Sequence, residues 1–243
     1  MNLISMSTTM AAPLLAIAGV RLAQTRWYNA YRIGREITVM KSAMKRYHKE
    51  NLRDDLLRAA AQVVNLEGYE QLSIRRLAKE TGVSPGAPYH HFPDKRSLLL
   101  AVALEGYREL NTVPVTPNSS MNVKPRTHLF NVCRRFLTFA AENPRLMTLM
   151  YDSELTRPIP DPAIAKAQQR GAEFLQEAIL VITPRLSAKA LSVRVATLWS
   201  TIFGFAMLRN LGMIQTNHVV RDPFSSKLAD SVIQQAIHVM ESD

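Results

Sequence analysis

Two glycines and two prolines fall between Gly82 and Pro88 in the run TGVSPGAPYHHFPDKRSLL, residues 81–99, and Tyr89, His90 and His91 follow side by side. Glycine opens backbone conformations that other residues resist, and proline removes an N–H donor, so no single helix can run through this stretch. Upstream, Ser73 stands where a helix cap belongs, with Ile74, Leu77 and Ala78 on one face and Gly82 at the end. Downstream, Asp94 caps a further helix whose apolar side carries Leu98, Leu99, Val102 and Tyr107. The joint between them reads as a turn at Gly82 followed by a short second helix. Ser84 is its cap and Pro85 its first residue, Pro88 still falls within its first turn, and Val83 fills the angle. That is the helix-turn-helix layout, in which the second helix enters a major groove.

The rest of the chain is consistent with an all-α protein. Asn51 can cap a helix with Asp54 in the box position, placing Leu52, Leu56, Ala59, Ala60, Val63 and Val64 on one face until Gly68 stops it. Residues 111–125, rich in Pro, Ser, Thr and Asn, read as a linker. Beyond them helical spacing recurs in Leu129, Phe130, Cys133, Phe136, Leu137 and Ala140. It resumes after Pro144, over about 163–182, 187–211 and 226–240. No stretch alternates as a strand would. The organisation expected is an N-terminal extension over 1–43, a three-helix helix-turn-helix domain over 51–111, and a larger helical domain over 126–243.

Charge narrows the partners. The formal net charge is +10, and residues 1–50 hold 8 Lys/Arg against 2 Asp/Glu, while 51–110 hold 8 against 8. Two readings of the basic extension stay open: an arm that lies along phosphate, or a translation start at Met40 or Met44. Absent periodicity favours the second. The neutral balance of 51–110 does not exclude DNA, because Arg75, Arg76, His90, Lys95 and Arg96 cluster there. The apolar run from Met10 to Val20 is too short to span a bilayer and has no basic residues before it, so a cytoplasmic protein is expected. One cysteine, Cys133, fits a reducing compartment and sits at core spacing. No metal and no cofactor is expected: His90 and His91 point about 100° apart on a helix and cannot close on one ion. No catalytic residues are assigned, since nothing near the loop carboxylates Asp152 and Glu154 completes an active site.

The run LSIRRLAKETGVSPGAPYHHFPDKRSLLLAV, residues 72–103, with the lead-in YHKENLRDDLLRAA from Tyr47, resembles the TetR type of bacterial transcriptional repressors. The resemblance implies a homodimer with an N-terminal DNA-binding domain and a C-terminal domain that dimerises and accepts a small-molecule effector. By position it puts Ser84, Gly86 and Ala87 at the groove-facing start of the reading helix. It puts Tyr89 and His90 on phosphates or base edges, Lys95 on a backbone phosphate, and Phe92 in the core. Ser73 and Arg75, at the start of the preceding helix, complete the expected DNA-binding set.

A weaker resemblance covers LWSTIFGFAMLRNLG, residues 198–212, which is similar to the C-terminal type known for a Trp, His, Gly signature. Trp199 and Gly204 stand, and Phe203 occupies the histidine's place. Candidate effector contacts are Phe136, Met147, Met150, Tyr151, Phe174, Trp199 and Phe203. The TetR resemblance implies that the last two helices pair with their copies, and Leu198, Ile202, Phe205, Leu208, Val232, Ile233, Ile237 and Met240 add more apolar surface than one helical pair hides. The partners implied are a double-stranded DNA operator, a second copy and an unidentified small molecule, with no membrane. The competing function is an all-helical small-molecule-binding protein or enzyme whose N-terminal bundle does not bind DNA.

Overall fold

Proline and small capping residues set the helix starts in the computed structural model, which describes residues 44–111, 124–214 and 222–241, with side chains from Leu52 onward. The expected extension over 1–43 and most of the linker over 111–125 lie outside the described residues. Residues 51–243 form one unit, distinct from residues 1–50, and the description below concerns that unit. Helix α1 spans Met44–Glu67, α2 Ile74–Thr81, α3 Lys95–Asn111, α4 Pro125–Glu142, α5 Pro144–Tyr151, α6 Pro162–Ile182, α7 Ala188–Asn210 and α8 Ser226–Glu241. No strand occurs among the described residues, so the expected all-α class stands.

Local chemistry explains these boundaries. Pro125, Pro144 and Pro162 each occupy the first helical position, where the missing N–H has no partner to lose. Asp161 accepts from the Ala163 N–H at 3.0 Å and Ser187 from the Ala190 N–H at 3.2 Å. Asp94 Oδ1 accepts from the Ser97 N–H at 2.7 Å, and Ser97 Oγ accepts from the Asp94 N–H at 3.3 Å, a reciprocal box that starts α3. One expected cap is corrected: α1 already runs through Asn51 from Met44. The upstream MKRYHKE contains no glycine or proline and several good helix formers, so nothing stops the helix at Asn51.

Helices α1–α3 close over Leu56, Val64, Leu77, Leu98 and Leu99, all essentially inaccessible. Helix α4 packs against α6, α7 and α8, and α3 packs on both α5 and α6. Helix α3 therefore belongs to both halves. Gly106 makes the close approach possible: a Cβ there would stand 2.7 Å from Met150 Sδ and 3.2 Å from Leu146 Cδ2. Tyr107 Oη donates to the Met150 carbonyl at 2.7 Å, and Arg96 donates to the Glu154 carbonyl at 3.0 Å and to Asp161 Oδ2 at 3.2 Å. Arg145 reaches back to the Asn65 carbonyl at 3.3 Å, at the end of α1, where a cation suits the helix dipole.

Helix α7 is long and apolar enough to cross a membrane by length and composition, yet only 17% of its apolar window is buried. The expected surplus surface is distributed differently from the sequence reading. Leu198, Ile202, Ile233, Ile237 and Met240 are buried within the chain. Leu208 stays exposed (43%) as expected, and the other uncovered apolar side chains of α7 and its C-terminal end are Val193 (57%), Trp199 (36%), Leu211 (72%) and Met213 (63%).

Candidate nucleic-acid interface and effector cavity

The tip begins at the end of α2. Gly82 adopts φ 71°, ψ 28°, the left-handed region, and nothing lies within 4 Å of where its Cβ would be. Its requirement is therefore conformational, not steric. The Gly82 N–H donates to the Lys79 carbonyl at 3.3 Å and the Val83 N–H to the Ala78 carbonyl at 3.0 Å, which is the Schellman ending. The hinge is bent, as the spacing requires.

The reading element is shorter than expected. It is a single 3₁₀ turn over Ala87–His90 with Gly86, not Ser84, at its N-cap. The cause lies in the prolines: Pro85 and Pro88 have no N–H to give, and a proline disfavours α geometry in the residue before it. The available donors close shorter loops, Ala87 N–H to Ser84 O at 3.0 Å and Tyr89 N–H to Gly86 O at 3.2 Å. Pro88 and Phe92 are buried beneath the tip, and the Arg53 guanidinium lies 5.4 Å from the Phe92 ring centre. Ser84, Gly86, His90 and His91 are exposed, Ala87 is half-buried, and Tyr89 is 45% exposed.

The five clustered cations do not act as one face. Arg76 is held by Glu67 at 2.5 Å and Glu80 at 2.7 Å, an arrangement that keeps Glu67 below the usual carboxylate range, chiefly through the hydrogen bond from Arg76. Arg96 points to the α5–α6 loop and Asp161 instead. What remains together is Ser73, Arg75, Tyr89 and Lys95, which with Leu72, Ile74, Pro93 and Asp94 line one shallow concavity of about 440 Å³. The N-termini of α2 and α3 both open toward it. Ser73 is exposed and holds the α2 N-cap without a side-chain cap bond, so the cap does not take up the first α2 amides. Lys95 Nζ donates to the Glu70 carbonyl at 2.9 Å, which fixes the ammonium at the rim. Amides, hydroxyls and a fixed ammonium around a dish are suited to a phosphate oxygen.

The second feature is a partly open cavity of about 1170 Å³ lined by α3, α4, α6 and α7, with Tyr151 from the end of α5. Of the expected contacts, Phe136, Tyr151, Phe174, Trp199 and Phe203 line it. Met147 and Met150 do not: both are fully buried, and Met150 Sδ lies where a Cβ on Gly106 would stand. Phe136 and Trp199 meet edge-on at 4.8 Å between ring centres, and Tyr151 and Phe203 at 5.0 Å, so four of the five form one aromatic wall. Cys133 is buried among lining residues, and burial pushes its thiol up to about 12.

Polar lining was not foreseen. Gln168 Nε2 donates to Tyr107 Oη at 3.0 Å, and that hydroxyl in turn donates to the Met150 carbonyl. Burial pushes the Tyr107 phenol up to about 12, while the Gln168 bond acts the other way. Asn131 and Arg135 also line the cavity, and Arg135 donates to the Glu109 carbonyl. Their spacing with His128 on α4, at i, i+3 and i+7, is the signal that would have found them.

Comparison with known proteins agrees with this geometry. The family model described as "Bacterial regulatory proteins, tetR family" matches residues 56–102, and that described as "Tetracyclin repressor-like, C-terminal domain" matches residues 129–233. The HTH-type transcriptional repressor AcnR of Corynebacterium glutamicum is 46% identical over 55 residues, which is 23% of this chain and 29% of that protein. The nucleoid occlusion factor SlmA of Aliivibrio fischeri is 31% identical over 120 residues, covering 45% of this chain and 59% of that protein. The chain thus spans less than two thirds of the length of these curated relatives. A tetR-family transcriptional regulator from Streptomyces coelicolor shares the fold, with a TM-score of 0.61 at 18% identity over 79% of this chain and 82% of that one. With both family models aligned on the two halves just described, the chain belongs to the tetR family of bacterial regulatory proteins.

Proposed function

We propose that the protein is a homodimeric, sequence-specific DNA-binding regulator of transcription, a repressor whose hold on its operator is controlled by a small molecule in the α3–α4–α6–α7 cavity. In this reading residues 51–111 read DNA, and residues 126–243 bind the effector and the second copy. The observation that carries it is the gathering of Ser73, Arg75, Tyr89 and Lys95 around one exposed dish beside the bent tip. Tyr89 and His90 offer hydrogen bonds to phosphate or base edges, and Ser84, Gly86 and Ala87 let the backbone approach the groove.

Two copies are needed for two successive grooves, and α7 offers the surface. Val193, Leu208 and Leu211 leave an apolar edge, with the small Thr197, Ser200 and Gly204 between them. Small residues allow close helix approach, and the apolar ones supply burial. An effector acts through α3. Tyr107 sits on the cavity and Lys95 at the DNA tip, twelve residues apart on one rod, or about 18 Å at 1.5 Å per residue. A ligand that competes for Gln168 shifts the Tyr107 end and swings the other. Moving the population from mostly bound to mostly released takes about 5.5 kcal/mol of differential affinity.

The test is selection of bound fragments from the host genome by the full chain, followed by titration of the enriched fragment. Enrichment of a palindromic site, with two protomers bound per site, is expected. Recovery of fragments with no common site would remove the regulatory reading.

A further inference from the structure

The cavity holds a one-sided charge. Among its described lining residues there is no aspartate or glutamate, Arg135 is the one permanently charged group, and His128 is a further base. Arg135 commits one donor to the Glu109 carbonyl, and a guanidinium has five. Burial lowers its pKa from the ordinary value, and the Glu109 carboxylate, which is outside the lining, acts in the opposite direction. His128, Asn131 and Arg135 share one face of α4 and so form a rail of polar groups along the cavity, spanning about 10 Å at 1.5 Å per residue. The rings of Phe136, Tyr151, Trp199 and Phe203 line the same cavity as one aromatic wall.

Given these groups, we infer that the cavity selects an elongated apolar carboxylate, its head on the rail at Arg135 and its tail against the aromatic wall. A carboxylate accepts two guanidinium hydrogen bonds at once and replaces its lost water with them. A cation has the opposite fate. It would surrender its hydration shell with no carboxylate to receive it and with Arg135 in the same chamber. An uncharged chain of equal length keeps the wall contacts and forgoes the head.

This inference rests on the effector-site reading above but is tested separately from it. Decanoate, 1-decanol and decyltrimethylammonium, below micellar concentration, share one tail and differ in the head. Calorimetric titration of the full chain is expected to show decanoate binding about tenfold more tightly than the ammonium, with decanol between. In Arg135→Met the decanoate affinity falls about tenfold and decanol stays within about twofold. Ammonium binding as tightly as decanoate, or no probe binding, overturns the inference. If Arg135→Met does not fold, Arg135→Gln is used, and the wild-type ranking decides on its own. Adding the same probes to the protein–DNA complex separates the two ideas. Decanoate that binds without releasing DNA counts against effector control and leaves the ligand class intact, whereas loss of the ranking with DNA binding preserved counts against the ligand class alone.

Discussion

At Gly82 the demand is dihedral. With φ at 71° and open space where a side chain would go, Gly82→Ala should fold and lose about 1 kcal/mol, from left-handed strain alone. Chemical denaturation would check this, and a loss above about 3 kcal/mol would mean the residue has a packing role. Gly106 presents the reverse case. Its backbone is helical, so alanine gains propensity, but the new methyl meets Met150 Sδ at 2.7 Å inside a closed core. Gly106→Ala should cost about 1–3 kcal/mol despite that gain. The buried titratable groups set the alkaline limit. Tyr107 and Cys133 both titrate at about 12 when folded, above their values of 10.0 and 9.0 in the open chain. The folded state therefore holds these protons more tightly. Stability is fully present below about pH 9 and falls as the pH rises toward about 12. Tyr107→Phe should flatten that decline in urea unfolding midpoints measured at successive pH values.

Among elements, α7 carries the assembly claim. Leu208→Glu places a charge on its exposed apolar edge, where the side chain is 43% accessible. Sedimentation equilibrium should show the dimer weakened about tenfold or more, with unchanged helix content by circular dichroism. An unaltered dimer would move the interface elsewhere. The elements were legible in the sequence where it shows a local cause for a boundary: Pro144 at a start, Asp94 as a cap, Gly68 and Gly82 as stops. Two boundaries were missed for want of such a cause. Asn51 looked like a cap only because its side chain can act as one, yet the good helix formers before it carry α1 straight through. The reading helix shrank to one 3₁₀ turn because Pro88 withholds the N–H that an α turn would need from Ser84.

For the whole molecule, the residues proposed to face DNA were more legible than the cavity. Ser73, Arg75, Tyr89 and Lys95 lie within 23 residues of chain and converge because one turn brings two helix starts together. The cavity draws on five helices from Tyr107 to Phe203, and its lining mixes buried residues such as Leu198 with exposed ones such as Trp199. Periodicity therefore placed Met147 and Met150 in it, which are core, and passed over Arg135 and Gln168. Arg76 and Arg96 show the same limit for charge, since the partners that draw them off the DNA face, Glu67 and Asp161, come from other elements.

The central claim is that the dish at the tip holds duplex phosphates. Fluorescence anisotropy of the selected operator fragment, followed from about 50 to 200 mM salt, addresses it most directly. For the wild type the account predicts a steep loss of affinity with salt. For Lys95→Ala it predicts weaker binding to every sequence and a salt slope lower by about one, and for Tyr89→Ala weaker operator binding by a dimer that stays folded. A shallow slope in the wild type, with both variants binding as it does, would contradict it.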